Sequence, residues 1–232
     1  MNIGLFGYGK MGKMLEQIGQ QRGHSIVAKV DVDTTNINYD TIDVAIDFST
    51  PEAAFKNITN CFDHKIPVVC GTTGWLHKYE EAVAHCQQKE AAFIYASNFS
   101  LGVNLFFELN KKLARMISDI SDYAVSMEEI HHTQKLDAPS GTAITLAEDI
   151  IENSGYKNWS TQKAMGGEIP ITSKRIGNTP GTHTISYDSD VDSIQIQHTA
   201  HNREGFALGA IIASEWLQGK KGVFTMNDVL KL

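Results

Sequence analysis

Over the first hundred residues, short apolar runs alternate with longer segments whose apolar positions recur every three to four residues. The strand-type runs are residues 2–7, 25–32, 43–49, 67–71 and 92–97. They are continuously hydrophobic, as strands buried on both faces of a parallel sheet must be. Residues 10–23 place Met11, Met14, Leu15 and Ile18 on one helical face. In residues 50–64, Thr50 stands at the N-cap position and Pro51 at the first helical one. Residues 76–90 read as another helix with a polar face. This alternation predicts a doubly wound α/β domain with a mainly parallel sheet.

After residue 100 the pattern changes. A long helix over 102–118 leads into a strand over 122–132, then a turn and a helix from Gly141. Further strands are predicted over 169–177, 182–188 and 193–200. The last two flank Asp188-Ser189-Asp190 and alternate cleanly, with Ile194, Ile196 and His198 on one face, which predicts a hairpin. This block is α+β, with its own mostly antiparallel or mixed open sheet. The tail over 204–230 reads as helical with no strand partner, returning to the first domain. The expected division is a dinucleotide-binding domain from 1–99 and 203–232, and a substrate-binding and oligomerisation domain from 100–202.

Composition narrows the functional classes. The 232 residues are 42% hydrophobic and 20% charged, with a net charge of −7, values ordinary for a globular protein. An acidic balance without a Lys/Arg run argues against nucleic acid. No apolar run approaches the ~20 residues of a membrane helix. Cys61, Cys70 and Cys86 are odd in number and lack CxxC spacing, so neither a disulfide framework nor a zinc site is signalled. A cytoplasmic protein is expected. The absence of repeats and low-complexity tracts favours a compact catalyst over a scaffold.

Gly7-Tyr8-Gly9-Lys10-Met11-Gly12 is a G-x-G-x-x-G turn between a strand and a helix. Gly7 permits the tight turn, Gly9 admits a pyrophosphate close to the backbone, and Gly12 lets helix and strand pack. Asp31, ending the second strand, is placed to accept the ribose hydroxyls. The competing reading, a structural turn without nucleotide, leaves the strand, glycines, helix and acid as coincidence. Gly71-Thr72-Thr73 and Ala96-Ser97-Asn98-Phe99 follow later strands and are expected to rim a nicotinamide pocket.

Residues 128–150 concentrate groups suited to an anion: His131, His132, Lys135 and the helix start Ser140-Gly141-Thr142. Hydroxyls, open helix N–H groups and a lysine make a carboxylate seat. Adjacent histidines are poor chelate spacing even beside Glu128 and Glu129, so no metal is expected. The bland alternative is one satisfied edge histidine beside an exposed one.

The stretch from Glu129 through His131, His132, Lys135, Asp137 and Pro139 to Ala143 resembles the signature of the 4-hydroxy-tetrahydrodipicolinate (dihydrodipicolinate) reductase family. The likeness covers essentially the whole chain, including "GYGKMG", "IDFSTPEA", "GTTG", "ASNFSLGVN", "GTHT" and "WLQGKKGVFTMNDVL" in the family's order. Two departures stand out: the segment after Asp31 is short, and Val32 stands where NADPH-accepting members can carry arginine.

The resemblance implies NAD(P)H-dependent reduction in lysine and diaminopimelate biosynthesis, with hydride passing to C4 of a small cyclic dicarboxylate. It implies His131 and Lys135 as the acid–base groups, and His132, Ser140, Gly141 and Thr142 as substrate contacts. Homotetramers built through the second sheet are also implied, as are hinges near Phe99-Ser100 and Asn202-Arg203. NADH is the expected cofactor, with NADPH tolerated: Asp31 and Asp33 repel a 2′-phosphate, while Lys10 and Lys13 partly offset them. An imidazole of ordinary pKa, ~6.5, suits His131 to shuttle protons near neutrality. Two rivals remain. Another two-domain dehydrogenase of the semialdehyde type needs a nucleophilic cysteine, with Cys70 the candidate, and a nicotinamide sensor has no use for the His-His-Lys stretch.

Overall fold

The computed structural model describes every residue except Ser121 and Lys163. In chain order, the first elements are β1 (Asn2–Phe6), α1 (Lys10–Gln21), β2 (Ser25–Val30), β3 (Val44–Asp47), α2 (Pro51–Asp63), β4 (Val68–Cys70), α3 (Tyr79–Gln88) and β5 (Ala92–Tyr95). Then follow α4 (Leu101–Ile117), β6 (Ala124–His131), α5 (Gly141–Glu152), β7 (Asn158–Ser160), β8 (Glu168–Arg175), β9 (Gly181–Asp188) and β10 (Ser193–Ala200). The chain ends with α6 (Glu204–Leu217), β11 (Gly222–Phe224) and α7 (Met226–Leu230). Two compact units result, Met1–Leu101 with Glu204–Leu232, and Gly102–Arg203. Among the described residues, no helix is long and apolar enough to cross a membrane.

The first unit carries a six-stranded parallel sheet in the order β11-β5-β4-β3-β1-β2. Side chains alternate between its two covered faces, which is why the strands read as unbroken apolar runs. Leu5, Val44, Ile46, Val69 and Ile94 face one core with Leu15 and Ile211. Phe6, Ala45, Val68, Cys70 and Phe93 face the other with Ile58, Phe62 and Trp75. The strand order reverses at β1, which has β2 on one side and β3 on the other. In open α/β sheets a crevice forms beyond the carboxyl ends of strands at such a switch point.

The tail departs from the expected all-helical reading. β11 pairs in parallel with β5, matching Gly222, Val223 and Phe224 to Ala92, Phe93 and Ile94. Gly219 at φ +71 follows the end of α6, and three residues are too few to display a period of two. The sheet edge makes this strand, as it does the equally short β7.

The second unit has a mixed sheet in the order β10-β9-β6-β8-β7. β6 runs parallel to β8 and antiparallel to β9, and β9 and β10 form the expected hairpin in full register. On one face Val125, Met127, Ile171, Ile185 and Tyr187 pack with Phe106, Ala114, Leu146 and Ile150 of α4 and α5. Glu129 and His131 are the next two positions along that same face of β6, and both are buried. A carboxylate and an imidazole therefore stand where the strand's pattern calls for core.

Within the first unit, a Cβ at Gly209 of α6 would lie 1.7 Å from the Phe99 carbonyl oxygen. Helix and backbone touch there without room for a methyl group. Gly209→Ala should destabilise this unit by about 1–3 kcal/mol, the usual cost of overpacking. A calorimetric scan showing an unchanged or raised Tm would contradict that contact.

Candidate active site

At the switch point, Gly7 turns the chain at φ +89, and a Cβ there would sit 2.2 Å from the Phe48 carbonyl oxygen. A Cβ at Gly12 would sit 2.5 Å from the Gly7 carbonyl oxygen, so α1 starts directly against the loop. Gly9 caps α1 with nothing within 4 Å of where its side chain would stand. Open N–H groups and the positive end of the helix dipole face that space. A cleft of about 730 Å³ adjoins it, lined by Gly7, Tyr8, Gly9, Asp31, Lys56 and Asn60 among others. Asp31 accepts the N–H of Val32 at 2.9 Å on one carboxylate oxygen. Tyr8 donates to Glu16, and the Lys29 ammonium lies over the Tyr8 ring, 4.8 Å from its centroid. Lys10 is exposed, and Met11 packs toward the core.

The other predicted rim residues differ in their contacts. Thr72 is buried: its hydroxyl donates to Asp47 at 2.5 Å and accepts the Ser49 N–H at 2.8 Å. Gly71 packs against the Phe48 ring, while Thr73 and Ser97 are exposed. Ala96 donates its N–H to the Cys70 carbonyl, and the Asn98 side chain accepts the Ser100 N–H. Phe99 is buried against Phe48. Sequence reasoning missed Asp47, a buried carboxylate ending β3 that also accepts from Ser49 and Asn57. Burial raises its pKa, against the downward pull of Thr72, Asn57 and Ser49. The Ser49 loop after β3 and the Thr72 loop after β4 are thereby tied together.

The second unit gathers the rest. Glu129 is fully buried, and Ser140 donates its N–H to both carboxylate oxygens at 3.2 and 3.1 Å. Arg175, at the end of β8, donates to Oε1 at 3.1 Å. The same guanidinium donates to the carbonyls of Lys135 and Asp137, fastening the loop after β6. Oε2 lies 3.5 Å from His131 Nδ1 and 3.7 Å from His183 Nε2. Burial alone would raise the Glu129 pKa. The interactions with His183, Ser140 and Ser173 outweigh it, so the group is held well below the ordinary carboxylate range and stays ionised.

His131 does not keep the ordinary imidazole pKa expected of it. Burial lowers it most, Glu129 pulls the other way, and His183, Lys135 and Arg175 push it down further, to about 4. The ring is neutral at pH 7. His132 is half-buried, with Nδ1 enclosed and unbonded. Lys135 pairs with Asp137 at 2.8 Å. Ser140 is buried and caps α5 by accepting the Ala143 N–H at 3.2 Å. Its hydroxyl and amide thus serve the protein, and the open N–H groups of the turn are those of Gly141 and Thr142.

The donor atoms of Glu129, His131 and His183 lie within 4.8 Å of one another, a spacing that a metal ion can bridge. Arg175 already supplies positive charge to that carboxylate. Cys70, the nucleophile a semialdehyde dehydrogenase would need, is fully buried, and burial raises its thiol pKa far above the reactive range.

Comparison with known proteins decides the family. The family model for the N-terminus of dihydrodipicolinate reductase matches residues 1–99, and that for its C-terminus matches residues 102–230. The 4-hydroxy-tetrahydrodipicolinate reductase of Christiangramia forsetii is 60% identical, over 99% of this chain and 98% of that one. The chain belongs to the dihydrodipicolinate reductase family. The enzyme of the same name from Buchnera aphidicola subsp. Schizaphis graminum is 38% identical over 92% of this chain and 83% of its own. Among solved structures, the dipicolinate-bound dihydrodipicolinate reductase of Paenisporosarcina sp. TG-14 shares the fold, with a TM-score of 0.80 at 22% identity over 97% of each chain. Membership carries 4-hydroxy-tetrahydrodipicolinate reductase activity in lysine biosynthesis, an NAD(P)H-dependent oxidoreduction.

Two residues of this reductase's second-unit cluster, Arg175 and His183, escaped sequence reasoning. His183 lay within "GTHT", a match to the family's order to which no role was attached. Arg175 closes a strand whose register against β6 the sequence does not show.

The depressed pKa of His131 makes stability depend on pH. The neutral ring is favoured in the folded state, with pKa about 4, against ~6.5 when unfolded. Its contribution is complete above ~6.5 and is lost as pH falls toward 4. His131→Gln should therefore flatten the dependence of Tm on pH between 6.5 and 4. Identical slopes in wild type and variant would contradict the assignment.

Proposed function

We infer that this reductase works on its cyclic dicarboxylate through the His131 cluster of the second unit and takes its hydride preferentially from NADH. The observation that carries the reading is a neutral, buried imidazole at the end of β6, beside an ionised Glu129 and close to the Lys135 ammonium. One substrate carboxylate is assigned to the open N–H groups of Gly141 and Thr142 at the start of α5, with the Thr142 hydroxyl and His132 as further partners. Ser140 belongs to this seat as its scaffold.

Loss of the C4 hydroxyl with a ring proton, as water, gives the imine-conjugated ring; hydride added at C4 then leaves negative charge that the ring nitrogen holds as an enamine. The adjacent carbon then takes a proton. Lys135 stabilises the developing charge and donates toward the nitrogen. His131 enters as a base. A bound dianion offsets the nearby cations, lifts the imidazole pKa, and lets the ring carry a proton to or from the intermediate.

NAD(P)H would occupy the first unit's crevice, its pyrophosphate against Gly7-Tyr8-Gly9-Lys10-Met11-Gly12. Gly71, Thr72, Thr73 and residues 96–99 contribute to the nicotinamide end, Thr72 by fixing its loop. Asp31 at the cleft wall receives the adenosine ribose. The second unit's open sheet face, with Ser126, Glu128, Thr172, Thr182, Gln195 and Gln197, is the surface through which a homotetramer would form. Buried free cysteines fit a reducing, cytoplasmic setting.

Asp31 should give a higher kcat/KM for NADH than for NADPH, and Asp31→Asn should narrow the ratio. A wild-type enzyme that strongly prefers NADPH would overturn the role of Asp31. For the chemistry, His131→Gln and Lys135→Ala should each lower kcat by about 10²–10⁴-fold, the usual worth of a general acid–base group. NADH affinity should survive. A preserved kcat with raised substrate KM in both variants would reduce the two residues to anion binders.

A further inference from the structure

Glu129 can serve two imidazoles with only one oxygen. Arg175 takes Oε1, and Oε2, which shares the Ser140 N–H, lies between His131 Nδ1 at 3.5 Å and His183 Nε2 at 3.7 Å. The two rings meet edge to face, 5.0 Å apart at 69°. An ionised carboxylate only accepts, so an imidazole nitrogen facing it is favoured in its protonated form. For His131 this favours the proton on Nδ1, which is enclosed without a hydrogen-bond partner among the described residues and faces the Glu129 oxygen at 3.5 Å, and leaves the lone pair on Nε2.

The opposite end of the His131 ring has been kept clear. A Cβ at Gly181 would stand 3.1 Å from Nε2 and 3.3 Å from Cδ2. The glycine that opens β9 therefore keeps a side chain of its own off the nitrogen that has the lone pair. Two residues along, His183 is the register partner of Glu129 across β6 and β9. Its Nε2 also lies 3.1 Å from the Ser140 hydroxyl that caps α5. Glu129, His131, Ser140 and His183 are 0, 7, 3 and 6% exposed. With solvent excluded, the protein's own groups determine where the protons sit.

We propose that His183 is a positioning residue: together with Glu129 it locks His131 as the Nδ1–H tautomer, with Nε2 presented beside Gly181 as the proton-accepting atom, and it couples that lock to the helix start at Ser140. The motif Gly181-Thr182-His183 thus serves both ends of one imidazole. This rests on His131 being the proton carrier only for its kinetic consequence; the tautomer itself is independent of that role.

The test is ¹⁵N NMR of the full-length enzyme labelled at histidine ring nitrogens, at pH 7, with His131 assigned by its Gln variant. The wild type should show His131 with a protonated Nδ1 and an unprotonated Nε2. His183→Leu should mix the tautomers, and His183→Gln, whose amide can replace Nε2, should restore the wild-type pattern. In the same variants kcat should fall by up to about 10²-fold for Leu, the scale of a small misplacement of a reacting group, and recover for Gln, with NADH KM unchanged. A wild-type His131 protonated on Nε2 overturns the proposal without recourse to any variant. So does a Leu variant with unchanged tautomer and pH–rate profile. A tautomer that shifts as expected while kcat stays constant supports the lock and counts instead against His131 as proton carrier.

Discussion

A carboxylate kept ionised inside a core is the constraint on which the second unit's arrangement depends. Glu129 occupies the strand position after Val125 and Met127 on the face covered by α4 and α5. Removing a charge from water costs several kcal/mol unless partners compensate. Here the partners are the Arg175 guanidinium, the first amide before α5, and two imidazoles. Each compensating group lies on a different element, so satisfying one charge fixes the ends of β6, β8 and β9, the start of α5 and the loop that carries Lys135. The start of α5 at Ser140 and the His131 ring are thus gathered around the same carboxylate.

The first unit has a counterpart in Asp47, and the contrast is instructive. Both carboxylates are buried and multiply hydrogen bonded. Asp47 has only hydroxyl, amide and backbone donors, and burial raises its pKa. Around Glu129 the interactions with His183, Ser140 and Ser173 outweigh burial, and its pKa falls. The first ties loops together at a sheet's carboxyl edge; the second does that and also stands against two imidazole rings.

Much of this was legible in the chain. Parallel strands buried on both faces leave unbroken apolar runs, so the first sheet, the glycine turn and α2 behind Thr50-Pro51 could be read directly. The hairpin of β9 and β10 followed from strict alternation. β7 and β11 escaped because three-residue strands exist through their neighbours' hydrogen bonds, and no local period marks them. Within the site, residues 128–142 were visible as a dense local pattern. Arg175 and His183 were not, since only the pairing of β8 and β9 with β6 brings them to Glu129 across 46 and 54 residues of chain. The pKa of His131 was misjudged for the same reason: it is set by burial and by charges remote in sequence.

The claim beneath this account is that Glu129 is ionised wherever the protein is folded. It can be measured directly by ¹³C NMR of carboxyl-labelled glutamate, with the Glu129 signal assigned through Glu129→Gln and followed as pH is lowered from 8. The account predicts an ionised chemical shift with no midpoint down to the pH at which the protein unfolds. A midpoint at or above the ordinary ~4.3 of a glutamate would contradict it.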